Sequence, residues 1–232
     1  TISPDQHGSH IDAVVEWARK FMQIELMEWQ ISALRDQLGF SDDAGIELVT
    51  RTSLVSVARQ CGKSVALRAL CGWWLTEMPK IRGEKQTVLM MAHRLDVAAG
   101  LYEEIADVLE MYFGAKLTRS YGRLAAKLPD GSKLLVRSAK PSAAHSLSVD
   151  LALIDEVWGI EEEVIDGGVI PTMRARKNPL LSMWSTAGTE DSTQWTRPRG
   201  RMRTLHSAKH SRCPPSSQKH SSPIALRSCV PA

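Results

Sequence analysis

Residues 57–64 read Val-Ala-Arg-Gln-Cys-Gly-Lys-Ser, a pattern that could bind the phosphates of a nucleotide. It follows the phosphate-loop consensus G-x-x-x-x-G-K-[ST], except that Val57 stands where the first glycine belongs. Gly62 would let the backbone approach a phosphate without a Cβ clash, Lys63 would contact the β- and γ-phosphates, and the Ser64 hydroxyl would coordinate Mg²⁺. The sequence therefore predicts a site for ATP and Mg²⁺. A chance Gly-Lys-Ser in a surface turn is the alternative, but here a Val-rich strand precedes the motif and a long helix follows it.

Two carboxylates, Asp155 and Glu156, directly follow the apolar residues 151–154. A buried strand there would bring them to the carboxyl edge of a parallel sheet, where ligands bind. Asp155 would hold Mg²⁺, directly or through water, and Glu156 would orient and deprotonate the attacking water. A solvated strand end is the common explanation for an isolated Asp-Glu pair, but the alternating pattern of the chain favours the catalytic reading.

The elements that must position these residues alternate along the chain. Four short apolar runs predict buried strands: residues 54–58, 87–92, 151–154 and 180–185. Four stretches with helical spacing of apolar residues predict helices: residues 14–22, 29–38, 63–78 and 97–113. A turn signal at Pro129–Ser132 predicts a hairpin between two further short strands. The predicted fold class is α/β, a P-loop NTPase with a mainly parallel, RecA-like sheet flanked by helices.

Charge divides the chain into two parts. Residues 193–232 contain eight Lys or Arg and no Asp or Glu, so the preceding residues carry more acidic than basic side chains. The basicity is therefore read as a property of the tail and not as a nucleic-acid footprint of the folded part. We predict an ATPase domain over 1–192 and a disordered basic tail over 193–232. A shifted reading frame or a truncated gene would account for such a tail.

Several classes of protein are disfavoured by the same composition. No uncharged apolar run is long enough to cross a bilayer, so we expect no membrane span. The four cysteines show no paired C-x-x-C spacing, which argues against a zinc site. A reduced, cytoplasmic compartment fits this cysteine usage.

The motifs together resemble the large terminase subunit of tailed bacteriophages. The resemblance rests on Arg59-Gln60 before Gly62, on the Ile-Asp-Glu end of the acidic strand, and on the later segment 185–188, Ser-Thr-Ala-Gly. It covers roughly residues 25–190. It implies an ATPase domain that drives double-stranded DNA into a procapsid in the cytoplasm of a bacterial host.

The resemblance also implies roles for individual residues. Gln30 would read the adenine, Arg59 would sense or stabilise the γ-phosphate, and Gln60 and Cys61 would complete the phosphate loop. Four residues would couple hydrolysis to DNA movement: Ser185, Thr186, Ala187 and Gly188. Arg176 lies where family members often carry an arginine, and it is either an arginine finger or a surface charge.

The partners implied by the resemblance are double-stranded DNA, a portal protein and a small terminase subunit, with a homo-oligomeric ring as the active form. Residues 193–232 supply no carboxylates for the metal ions of a nuclease, so we expect no DNA cleavage by this chain. Two other functions stay open from the sequence. One is a degenerate prophage remnant that binds nucleotide without turnover, and the other is a helicase-like DNA-remodelling ATPase.

Overall fold

A twisted sheet with helices on both faces forms the core of the protein. The computed structural model describes residues 6–120, 123–144, 147–186 and 203–207. Among these residues the main sheet has eight strands in the order β10-β3-β9-β8-β4-β7-β6-β5. The strands are β3 (Thr52–Val57), β4 (Thr87–Ala92), β5 (Lys116–Ser120), β6 (Arg123–Lys127), β7 (Lys133–Val136), β8 (Leu151–Asp155), β9 (Leu180–Thr186) and β10 (Arg203–Ser207). A separate two-stranded ribbon pairs β1 (Gly8–Ser9) with β2 (Gly39–Phe40).

The pairing of the strands confirms the predicted fold class. Strands β10, β3, β9, β8, β4 and β7 run parallel to one another, and β6 and β5 continue the sheet as antiparallel strands. Every residue of β4 and β8 is buried. Strands covered on both faces need apolar side chains throughout, which is why the sequence shows continuous apolar runs at these places.

Helices cover the two faces of the sheet. The α-helices are α1 (Ile11–Trp17), α2 (Glu28–Gln37), α3 (Lys63–Arg82), α4 (Leu95–Phe113) and the short α5 (Ile170–Met173). The first face carries α3 and α4, and its core contains Trp73, Trp74 and Tyr102. The second face is packed by the segment Val164–Val169 and by its neighbours. None of the helices in the described part of the chain is long and apolar enough to cross a bilayer.

Two features differ from the sequence-based expectation. Helix α3 does not stop before Pro79 but continues to Arg82 and ends at Gly83, whose φ of 68° is left-handed. Its packing against the core outweighs the loss of one backbone hydrogen bond at the proline. In the stretch predicted as a tail without packed structure, residues 203–207 form a strand parallel to β3. The remainder of 193–232 lies outside the described residues.

Candidate active site

The phosphate loop connects the end of β3 to the start of α3. Its last residue before the helix, Gly62, has a φ of 84°, and Gln60 has a φ of 60°. A side chain at position 62 would be strained by this φ, and its Cβ would also lie 3.0 Å from the Gln30 amide nitrogen. The sequence keeps glycine where the backbone requires it. Val57, by contrast, is a buried strand residue.

Lys63 joins the two predicted motifs. Its Nζ lies 2.6 Å from Oδ1 of Asp155 and 2.5 Å from Oε1 of Glu156. Asp155 ends β8, which is separated from β3 by β9 alone. The parallel strands thus bring loop and carboxylates to one edge of the sheet, as the apolar run before Asp155 predicted. With 8% of its surface exposed, Lys63 is held between two carboxylates and cannot point freely into solvent.

Glu156 is fixed by four further contacts or constraints. Its backbone is left-handed, with a φ of 49°, and its N–H donates to Oδ1 of Asp155 at 2.8 Å. Its Oε2 accepts hydrogen bonds from the Trp158 indole N–H at 2.6 Å and from the Thr186 hydroxyl at 3.1 Å. The contact with Thr186 connects the predicted coupling segment directly to the predicted catalytic carboxylate.

Trp158 is a site residue that sequence reasoning missed. It lies in the turn Val157–Gly159 after the acidic pair and is 42% exposed. Its ring packs 5.4 Å from that of His93, whose Nδ1 lies 2.6 Å from the Gly159 carbonyl oxygen. Its position two residues after the Asp155-Glu156 pair is the one local sequence feature that could have indicated a site role. Sequence alone does not distinguish such a tryptophan from a core residue.

The electrostatics of the two carboxylates differ. Burial raises the pKa of Asp155, and the nearby charge of Lys63 offsets only part of this effect. Burial also acts to raise the pKa of Glu156, but hydrogen bonds from Lys63, Trp158 and Thr186 outweigh it and the pKa is lowered. Glu156 is therefore ionised at neutral pH, the state in which a carboxylate can accept a proton from water.

The donor set at this edge fits Mg²⁺. Ser64 lies in the first turn of α3 and Asp155 at the end of β8, so a hydroxyl and a carboxylate oxygen stand beside the phosphate loop. Mg²⁺ is usually held by one or two protein oxygens together with substrate phosphates and water. Among the described residues there is no cluster of three or more His, Cys, Asp or Glu that could hold a metal ion.

The other predicted residues of the loop fall into two groups. Arg59 and Gln60 are exposed at the tip, and Arg59 makes no hydrogen bond or ion pair with any residue that the structure describes. Cys61 is buried. Gln30 is also buried, and its Nε2 donates to the Gly62 carbonyl at 2.7 Å while its Oε1 accepts from the Met27 N–H at 2.7 Å. Gln30 thus ties helix α2 to the loop, and its contact with adenine remains a prediction.

The structure does not bring Arg176 to the phosphate loop. The Arg176 Nε donates to Oδ1 of Asp150 at 2.5 Å, and a terminal nitrogen lies 3.1 Å from Glu84. Asp150 precedes the first residue of β8, whereas Asp155 is its last residue, so the two ends are about 16 Å apart. In this structure Arg176 is an ion-pair partner at the opposite edge of the sheet, and its role as an arginine finger stays a prediction.

The predicted coupling segment is only partly described. Ser185 and Thr186 are the last two residues of β9, and the Ser185 hydroxyl donates to the Thr186 carbonyl at 3.0 Å. Ala187 and Gly188 lie outside the described residues. The contact of Thr186 with Glu156 is thus the part of the coupling prediction for which the structure gives a geometry.

Comparison with solved structures adds an independent observation. The ATPase domain of the Thermus phage P74-26 large terminase superposes with a TM-score of 0.57 at 16% identity, covering 76% of this chain and 71% of that domain. The HK97 bacteriophage large terminase superposes with a TM-score of 0.61 at 20% identity, covering 76% of this chain and 38% of that protein. The chain has the fold of a large terminase ATPase domain.

At these identities the likeness establishes the terminase ATPase fold alone. No protein-family model and no curated protein sequence matches this chain. The match spans only 38% of the length of the HK97 large terminase. The activities of that whole protein are therefore not assigned to this chain. The resemblance drawn from the motifs is confirmed by the fold.

Proposed function

We propose that this chain is the ATP-hydrolysing motor domain of a phage large terminase and powers the translocation of double-stranded DNA into a procapsid. The observation that carries the proposal is the placement of Lys63 within 2.6 Å of both Asp155 and Glu156 in a terminase-type ATPase fold. A phosphate-binding lysine, a carboxylate for a metal and a carboxylate for water are the parts that nucleotide hydrolysis requires.

The contacts of Lys63 suggest how the site responds to ATP. When Lys63 turns to the β- and γ-phosphates, it leaves Oε1 of Glu156 without its partner. That oxygen then accepts the proton of the attacking water, while Trp158 and Thr186 keep Oε2 in place. Positioning of the water in this way is the main contribution that a protein makes to phosphoryl transfer.

The remaining ligands are assigned on the same basis. Ser64 and Asp155 would hold Mg²⁺, which neutralises charge on the phosphates when it is bound. Arg59 is exposed at the tip of the loop and has no partner among the described residues, which supports its proposed contact with the γ-phosphate. Gln30 holds the phosphate loop through its hydrogen bond to the Gly62 carbonyl. By resemblance, we also assign it to the adenine.

The partners follow from the proposed role. Double-stranded DNA is the substrate that is moved, a portal protein and a small terminase subunit are the protein partners, and a homo-oligomeric ring in the host cytoplasm is the active form. The ATPase domain is proposed to comprise residues 1–192 together with strand β10 (Arg203–Ser207), which pairs with β3.

The proposal is tested by separating nucleotide binding from turnover. Wild type and Lys63→Ala, Glu156→Ala and Glu161→Ala variants are compared for binding of a fluorescent ATP analogue and for phosphate release, with and without duplex DNA. Glu161 is an exposed carboxylate five residues after Glu156 and serves as the matched control.

We expect Lys63→Ala to lose both binding and turnover, because it removes the phosphate contact. Glu156→Ala should still bind nucleotide but lose hydrolysis by a factor of about 100 or more, and Glu161→Ala should behave as wild type. Tight binding by the wild type with no turnover, even with DNA and the partner proteins, would instead support the nucleotide-binding prophage remnant.

A further inference from the structure

Residues 116–140 contain seven basic side chains and one acidic side chain. They lie within the otherwise more acidic folded part of the chain and form the antiparallel end of the sheet, strands β5, β6 and β7. In the sequence alone, the more basic tail made this local excess of positive charge easy to overlook. The sheet places part of it on one face, as the pairing of the strands shows.

Three lysines of this segment lie directly opposite one another. Lys116 of β5 is paired in register with Lys127 of β6, and Lys127 is paired with Lys133 of β7. Residues directly opposite in neighbouring strands project from the same face of a sheet. Lys116, Lys127 and Lys133 therefore form a row across three strands, which we call the lysine face.

The other face of the same strands is neutral and packed. Leu117, Leu124 and Ala126 join the core beneath α4, and Arg119, which shares that face, forms ion pairs with Glu103 and Asp107 of α4. The charge of Arg119 is thus neutralised by two carboxylates of the neighbouring helix.

Within the part of the chain that the structure describes, the three lysines make no ion pair or side-chain hydrogen bond. Asp130, the one carboxylate of the segment, is engaged by the N–H and the hydroxyl of Ser132 at 2.8 and 2.7 Å. Like charges directly opposite in a sheet are destabilising. Lysines at sheet edges can prevent aggregation, which explains Lys116 on the edge strand, but Lys127 and Lys133 lie on interior strands.

We propose that the lysine face contacts the phosphodiester backbone of duplex DNA. A row of unpaired ammonium groups on a rigid sheet is complementary to a line of phosphates, and phosphate contacts of this kind bind without reading sequence. The identity of the polyanion as the translocated DNA rests on the proposed motor function.

The lysine face lies far from the nucleotide site. Lys133 is the first residue of β7 and is level with Thr87 at the start of β4, while Lys63 and its carboxylates lie at the opposite ends of the parallel strands. Substitutions on the lysine face should therefore leave nucleotide binding and hydrolysis in the absence of DNA unchanged. This separation allows DNA contact and catalysis to be tested independently.

The experiment measures the salt dependence of DNA binding by the full chain. Anisotropy of a labelled duplex of about 30 base pairs, long enough for several phosphate contacts, is recorded for wild type, a triple Lys116→Gln/Lys127→Gln/Lys133→Gln variant and an Arg119→Gln control on the opposite face. The basic tail is present in all three proteins, so its contribution cancels. Thermal melting of each variant confirms that it is folded.

Each phosphate contact contributes about 0.9 to the slope of log K against log salt. The triple variant should therefore lose about 2 to 3 units of slope and bind up to about 500-fold more weakly in 0.1 M salt, with a melting temperature equal to or above that of wild type. Arg119→Gln should keep the wild-type slope. An unchanged slope in the triple variant would overturn the proposal, and so would equal binding of duplex RNA with the same loss of slope.

Phosphate release distinguishes failure of this proposal from failure of the motor function. We expect the triple variant to retain basal ATPase activity and to lose stimulation by DNA. If DNA stimulates the triple variant as strongly as wild type, the lysine face is wrong and the motor function stands. If wild type shows no ATPase activity but the triple variant still loses salt slope, the lysine face stands and the motor function fails.

Discussion

Arg176 is either a structural ion-pair partner of Asp150 or an arginine finger, and the variant Arg176→Ala separates the two roles. In the structure the guanidinium bonds to Asp150 and Glu84 at the edge of the sheet away from the nucleotide site. We therefore expect the variant to lose stability while keeping its turnover number. An arginine finger would show the reverse pattern, a loss of rate by orders of magnitude in a protein of normal stability.

The size of the expected loss of stability follows from the burial of Asp150. This carboxylate is 1% exposed, and without Arg176 its remaining hydrogen bond comes from the Thr87 N–H at 2.7 Å. Breaking a buried ion pair by removing one partner costs about 3–5 kcal/mol. Because Arg176 itself is 22% exposed and the charge of Arg82 lies nearby, we expect a loss of about 2–3 kcal/mol. For a domain of this size that lowers Tm by roughly 5–10 °C.

The loss of stability in Arg176→Ala should depend on pH. Burial raises the pKa of Asp150 above its ordinary value, although Thr87 and Arg176 act in the opposite direction. A carboxyl group whose pKa is higher in the folded state costs stability above its unfolded pKa, and this cost disappears as the pH falls through the folded pKa. Removing Arg176 raises the folded pKa further. The difference in Tm between wild type and variant should therefore shrink as the pH falls from neutral towards the ordinary Asp pKa of about 3.9.

The assays are thermal and urea unfolding, together with phosphate release at a temperature where both proteins are folded. Arg174→Ala, which removes an exposed positive charge two residues away, is the matched control and should be within about 0.5 kcal/mol of wild type. The structural role would be refuted if Arg176→Ala were as stable as Arg174→Ala but its turnover fell about a thousandfold.

Three further substitutions give expected outcomes. Gly72→Ala should destabilise the protein by about 1–3 kcal/mol in urea unfolding, because a Cβ there would overlap the ring of Trp17 in the core. Gly100→Ala in α4, where a Cβ meets nothing within 4 Å, should stabilise it by about 0.5–1 kcal/mol in the same assay; destabilisation there would contradict the helix packing. Trp158→Phe removes the indole donor to Glu156, so steady-state kinetics should show kcat about tenfold lower with KM for ATP unchanged, and an unchanged kcat would exclude the positioning role.

The parts of the site that could be predicted from the sequence are those defined by adjacent residues. Gly62, Lys63 and Ser64 are contiguous, and the apolar run before Asp155 indicates both a strand and the edge at which it ends. Local patterns of this kind also gave the α/β fold, since continuous apolar runs and helical periodicity alternate along the chain.

Contacts between distant segments could not be predicted in the same way. The hydrogen bond of Thr186 to Glu156 depends on the relative positions of β8 and β9. That of Trp158 depends on the shape of the turn after β8, and the sequence indicates neither contact. The resemblance left Arg176 open as an arginine finger or a surface charge, and its ion pair with Asp150 at the other end of β8 is not indicated by the local sequence. The alignment of Lys116 with Lys127 depends on the register of β5 and β6, which a hairpin signal elsewhere in the chain does not determine.

The central claim is that Glu156 activates water for ATP hydrolysis at the site of Lys63 and Asp155. It is tested most directly by DNA-stimulated phosphate release of wild type beside Glu156→Ala, with ATP binding measured for both. We expect turnover by the wild type and a loss of about a hundredfold or more in the variant, while both proteins bind ATP. Hydrolysis by Glu156→Ala at the wild-type rate would contradict it.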